Sequence, residues 1–113
     1  MYLDPLSIKT DIAADLLTAM ANSRRLIILS ILVQGEITVG ALAEKVGLSQ
    51  SALSQHLSKL RAMELVTTRR DAQTIYYSCS NLKVKTILET LAEIFAENAD
   101  NTAAARSRSS SEF

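Results

Sequence analysis

Residues 41–60 read ALAEKVGLSQSALSQHLSKL, and their spacing predicts two short helices joined at Gly47. Ser49 follows Gly47 and Leu48 where a helix can begin, and its hydroxyl suits the free N–H groups of a first turn. From there Leu53, Leu57 and Leu60 fall on one face, while Ser51, Ser54, Gln55, Ser58 and Arg61 fall on the other. The preceding segment turns Val39, Leu42, Ala43 and Val46 inward, and Gly47 supplies the positive φ that reverses the chain in few residues. This is a helix-turn-helix whose second helix has an apolar back and a polar front. An ordinary αα-corner in a helical bundle would carry the same division.

The adjoining segment weighs against the corner. Residues 64–77, ELVTTRRDAQTIYY, hold two runs rich in Val, Thr, Ile and Tyr around Arg-Arg-Asp-Ala-Gln, which predicts a hairpin with Arg69 and Arg70 at its charged tip. A hairpin directly after such a helix is a wing. Residues 45–70 carry Lys45, Lys59, Arg61, Arg69 and Arg70 against Glu64 alone, a local charge of +4 on a chain whose net charge is zero. That local excess is the footprint phosphate binding needs, although a solvated hairpin tip would also explain Arg69 and Arg70.

Residues 21–79, from ANSRRLIILSIL through GLSQSALSQHLSKLR to TTRRDAQTIYYSC, resemble the ArsR/SmtB family of bacterial winged-helix repressors. The resemblance implies a fold that is mainly α with a small β-hairpin, and a homodimer paired through its N- and C-terminal helices. It also implies double-stranded DNA as partner, with an imperfect palindrome as operator. The helix from Gln50 would then enter the major groove. The expected DNA contacts are Ser49, Gln50, Ser51, Ser54, Gln55, His56 and Lys59 on that helix, with Arg69, Arg70 and Gln73 in the wing.

At 113 residues with 48% hydrophobic content, the chain has material for one small core, to which a dimer interface would add. Residues 1–98 are expected to form the DNA-binding domain. Residues 99–113, ADNTAAARSRSSSEF, lack apolar periodicity and are expected to be a disordered tail in which Arg106 and Arg108 are solvated. No apolar run approaches the ~20 residues of a membrane span, and the start MYLDPLSIKTDIAADL has acids where a signal peptide would be basic. With a single Cys as well, a cytoplasmic protein is expected.

Ile8, Ile12, Leu16, Leu17 and Met20 make one apolar stripe, and Val84, Ile87, Leu88, Leu91, Ile94 and Phe95 make another, begun by Ser80 or Asn81 as a cap. Ile8, Ile12 and Leu16 together with the second stripe are the expected dimer interface, although such stripes also cover a subunit's own core. Glu89, Glu93 and Glu97 lie on the outer face of the last helix. Residues 24–33, almost unbroken in apolar character, should form the buried centre.

Metal sensing is common in the family that the chain resembles, and a tetrahedral soft-metal site takes about four thiolate or imidazole ligands. This chain has one Cys and one His, and Thr38 and Gly40 stand where the family's sensors carry a Cys-x-Cys pair. No metal and no cofactor is expected. His56, at the edge of the apolar face, is read as a hydrogen-bond donor to backbone or phosphate, or as a buried structural residue. Cys79 is read as an inert small side chain, with a redox switch as its alternative. Neither makes a catalytic constellation, so no enzyme is expected. The expected function is sequence-specific repression. Its alternatives are the same fold switched at Cys79 or by a small ligand at the dimer interface, and a protein-interaction module without DNA.

Overall fold

The structure, a computed structural model, describes residues 9–101. Five helices occur among them: α1 (Thr10–Met20), α2 (Ser23–Leu32), α3 (Val39–Val46), α4 (Gln50–Ala62) and α5 (Leu82–Asn101). Three strands, β1 (Ile37–Thr38), β2 (Thr67–Asp71) and β3 (Thr74–Ser78), form an antiparallel sheet in the order β1-β3-β2. The chain divides into two compact units, one ending at Asn81 and the other beginning at Leu82.

The helix starts follow capping chemistry. Asn22 Oδ1 accepts from the Arg25 N–H at 3.1 Å to open α2, Thr38 Oγ1 from the Ala41 N–H at 3.3 Å to open α3, and Ser49 Oγ from the Ala52 N–H at 3.1 Å to open α4. Each satisfies one donor that the first turn leaves without an intrahelical partner. At the end of α3, Gly47 takes φ 71°, and its N–H and that of Leu48 both donate to the Ala43 carbonyl. The end of α4 is closed the same way by a residue with a side chain. Glu64 takes φ 61°, its N–H donates to Arg61 O at 2.8 Å, and the Leu65 N–H donates to Leu60 O at 2.9 Å. These two bonds are the Schellman pattern, which ordinarily has Gly where Glu64 stands.

The core of the first unit is aliphatic. Ile28, Leu29 and Leu32 from α2, Leu42 from α3, and Leu53, Leu57 and Leu60 from α4 are fully buried, and Leu65 and Val66 close it at the entry to the wing. No polar or charged residue is buried among the described residues. Burying one such side chain is worth roughly 1.5–3 kcal/mol, so this cluster is what holds α4 in place. Helix α2 is buried on one side only, not all round as its composition suggests. Ile27 is 41% exposed. A helix covered from one direction shows solvent its far side whatever residues stand there.

The wing differs from expectation in two ways. Ile37 and Thr38 add a third strand, pairing with Tyr77 and Tyr76 of β3; two β-branched residues are too few to show alternation in sequence. The turn is only Ala72-Gln73, with Ala72 at φ 58°, and Asp71 pairs with Thr74. Arg69 and Arg70 therefore lie within β2, opposite Tyr76 and Ile75, and not at the tip. The Cys79 N–H donates to Leu32 O at 3.1 Å, tying the end of the wing to the end of α2.

In the first unit, α1 buries Ala19 and Met20 but leaves Ile12 62% and Leu17 54% exposed. In the second unit, α5 buries Val84 completely, half-buries Ile87, Leu88 and Leu91, and leaves Ile94 48% and Phe95 51% exposed. Helix α5 continues to Asn101, past the expected start of the tail; Ile8 and the rest of that tail lie outside the described residues. Among the described residues no helix is long and apolar enough to cross a membrane.

Candidate nucleic-acid interface

With Leu53, Leu57 and Leu60 fully buried, α4 can present only its other face. On it Gln50, Ser51, Ser54, Gln55, Ser58, Lys59 and Arg61 are all exposed. Ser49, just ahead, has its hydroxyl oxygen engaged by the Ala52 N–H and lies 3.4 Å from the Ser51 hydroxyl, so the helix start is itself a cluster of polar groups. The first turn of α4 adds unpaired N–H groups and the positive end of the helix dipole. Lys59 and Arg61 occupy the last turn. Hydroxyls and amides at the front with cations behind match what base edges and phosphates respectively require.

Two arginines of α2 fix this helix pair, and nothing in the sequence singles them out. Arg24 Nη1 donates to the Val46 carbonyl at 3.1 Å, capping α3 from outside. Arg25 Nε donates to His56 Nδ1 at 3.1 Å, while its Nη1 donates to Ala19 O at 3.2 Å, so one guanidinium joins α1, α2 and α4. His56 is thus an acceptor at Nδ1, where the sequence suggested a donor; its Nε2–H remains to donate. Burial first, and then the positive charges of Arg25 and Lys59, hold its imidazole below the ordinary histidine range.

In the wing, Arg70 and Gln73 are exposed. Arg69 is engaged elsewhere. Its Nη2 lies 2.6 Å from Glu36 Oε1, its Nε lies 3.0 Å from Oε2 and 3.2 Å from Oε1, and its guanidinium carbon sits 4.6 Å from the centre of the Tyr76 ring. The hydrogen bond from Arg69 and the attraction of its charge hold the Glu36 carboxyl below the usual carboxylate range, and the same bond raises Arg69. Sequence reasoning missed Glu36 because 33 residues separate the pair.

Cys79 is buried, and that burial pushes its thiol up, an effect only partly offset by a backbone hydrogen bond from Asn81. A raised thiol holds little thiolate, the reactive form. Thr38 spends its hydroxyl on the α3 cap. Among the described residues no three His, Cys, Asp or Glu side chains gather into a possible metal site.

A model of the arsR family of bacterial regulatory proteins matches residues 22–68. The chain is 64% identical over 90 residues to the nodulation protein NolR of Rhizobium meliloti, covering 80% of this chain and 74% of that protein. It is 49% identical over 85 residues to the transcriptional activator HlyU of Vibrio cholerae, covering 75% and 79% respectively. The crystal structure of NolR from Sinorhizobium fredii superimposes with a TM-score of 0.76 at 64% identity, over 80% of this chain and 91% of that one. A homodimeric winged helix-turn-helix DNA-binding domain from Mycobacterium bovis superimposes with a TM-score of 0.73 at 31% identity, over 87% and 91%.

Proposed function

Because the chain belongs to the arsR family of bacterial regulatory proteins, we propose that α4 lies in the major groove of an operator, with Gln50, Ser51, Ser54 and Gln55 against base edges. Ser49, Lys59, Arg70, Gln73 and the Nε2–H of His56 meet the backbone on either side. The protein is a sequence-specific DNA-binding transcriptional repressor, and it acts as a homodimer. Occupancy is the mechanism. A dimer seated on promoter DNA excludes whatever else must bind there, which represses when the excluded protein is polymerase.

The observation that carries the site assignment is the polarity of α4: a fully buried leucine seam behind a wholly exposed row of Ser and Gln. Ile12 and Leu16 on α1, and Ile87, Leu88, Leu91, Ile94 and Phe95 on α5, supply apolar surface for the dimer. Such a mechanism requires no catalysis and no metal, and it operates in the cytoplasm, where bacterial DNA lies. Selection of binding sites from random duplexes tests the reading. An imperfect palindrome should be enriched; failure to enrich any sequence overturns it.

A further inference from the structure

We propose that Glu36 determines how many phosphates the wing engages, by withholding Arg69 from the DNA and leaving Arg70 as the wing's phosphate contact. The inference rests on the DNA-binding reading. Arg69 and Arg70 are neighbours on β2, so they point to opposite faces of the sheet. On its face Arg69 meets Tyr76 directly across the ladder and Glu36 just ahead of β1. The carboxylate takes the Nε–Nη2 edge of the guanidinium with both oxygens, and that edge is one of the forks a phosphate would use. The ring covers one guanidinium face. Arg70, opposite Ile75, makes no ion pair among the described residues.

A single exposed ion pair is ordinarily weak, because two flexible side chains must be held in one geometry. Here three features act on one guanidinium: a two-oxygen fork, a ring beneath it and a rigid antiparallel ladder fixing both strands. The pair is also neutral as a unit, so it draws no phosphate toward itself. Arg69 then serves as a positioning residue that fastens β2 and β3 to the segment leading into α3, and Glu36 acts as a specificity device. Removing the carboxylate's charge frees a cation that binds any duplex.

Salt titrations of DNA binding decide this, since each phosphate neutralised contributes about 0.9 to the slope of log K against log salt. Glu36→Gln should steepen the slope by about 0.9, tighten binding to a random duplex several-fold at low salt, and narrow the ratio of operator to random binding. Arg69→Ala should keep the parent's slope, Arg70→Ala should lose about 0.9, and the double change Glu36→Gln with Arg69→Ala should return to the parent's slope. Loss of slope in Arg69→Ala, or an unchanged slope in Glu36→Gln, overturns the proposal. Circular dichroism confirms that each variant is folded. A parent that binds no duplex at any salt would defeat the DNA-binding reading instead.

Discussion

Arg25 Nε donates to His56 Nδ1 across 3.1 Å, joining two residues 31 positions apart and tying the proposed reading helix to the helix behind it. A guanidinium has only donors, so the bond exists only while the imidazole is neutral. Protonation replaces it with two adjacent cations. The folded-state value lies below the ordinary one, so the unfolded chain takes up this proton at higher pH than the folded chain. The contribution is whole above about pH 6.5 and is lost as pH falls from there through the folded-state value. His56→Asn offers an amide oxygen that does not titrate. Melting temperatures at about pH 7.5 and about pH 5.5 should differ less in this variant than in the parent; equal differences would show that the bond has no part in the pH response.

The exposed Ser and Gln row on α4 should carry base discrimination. Gln55→Ala should weaken binding to the preferred operator by about 1–3 kcal/mol and relax the preference at one base position, because Gln bonds adenine in two places. Binding-site selection repeated with the variant measures both effects. If the combined Ala variant of Gln50, Ser51, Ser54 and Gln55 held the operator as tightly as the parent, the reading face would be wrongly assigned.

The two helix ends that use positive φ should respond oppositely to substitution. At Glu64 a side chain occupies the left-handed region at φ 61°, at a cost of about 1–2 kcal/mol, so Glu64→Gly should raise stability by about 0.5–1 kcal/mol after the entropy of a more flexible unfolded chain is deducted. At Gly47 no atom would crowd an added Cβ, so Gly47→Ala should cost about 1 kcal/mol by conformation alone. Denaturant midpoints read both. A stabilised Gly47→Ala would contradict the assignment of that turn.

Ile94 is nearly half exposed in the single chain, and Leu91 is half-buried. If α5 contributes to the dimer, Leu91→Glu and Ile94→Glu each place an unpaired charge in the interface and should dissociate the dimer and abolish operator binding together. The Ile94 variant tests this without disturbing a covered position. The operator's half-sites should lie about one helical turn, ~10 base pairs, apart. Sedimentation of the parent and both variants measures the assembly, and dimeric variants would relocate the interface. Zinc or nickel should not release the DNA, since Thr38 and Gly40 supply no thiolate.

The parts of this molecule legible in its sequence are those governed by short-range periodicity. Leu53, Leu57 and Leu60 sit one turn apart, and Ser49 and Gly47 punctuate helices by local rules, so the helix pair and its exposed face can be read directly. The contacts that aim the pair cannot. Arg25 with His56 and Arg69 with Glu36 are each separated by more than 30 residues, and no spacing encodes such meetings. The end of α4 is hidden differently, because Glu64 does a glycine's work without a glycine's signature. The reach of the wing escapes sequence reasoning because the turn uses only Ala72 and Gln73 and draws both arginines into the strand.

Thr38 belongs to two elements at once, pairing with Tyr76 as the last residue of β1 and capping α3 through its hydroxyl. There is no linker between sheet and helix to absorb a change of length. An insertion between positions 38 and 39 would turn β1 out of register with β3 or rotate the start of α3 by roughly 100°, taking Leu42 and Val46 out of the core. The Ala72-Gln73 turn faces no such constraint. Across descendants of this sequence, insertions should therefore accumulate at the tip of the wing and be purged at its root.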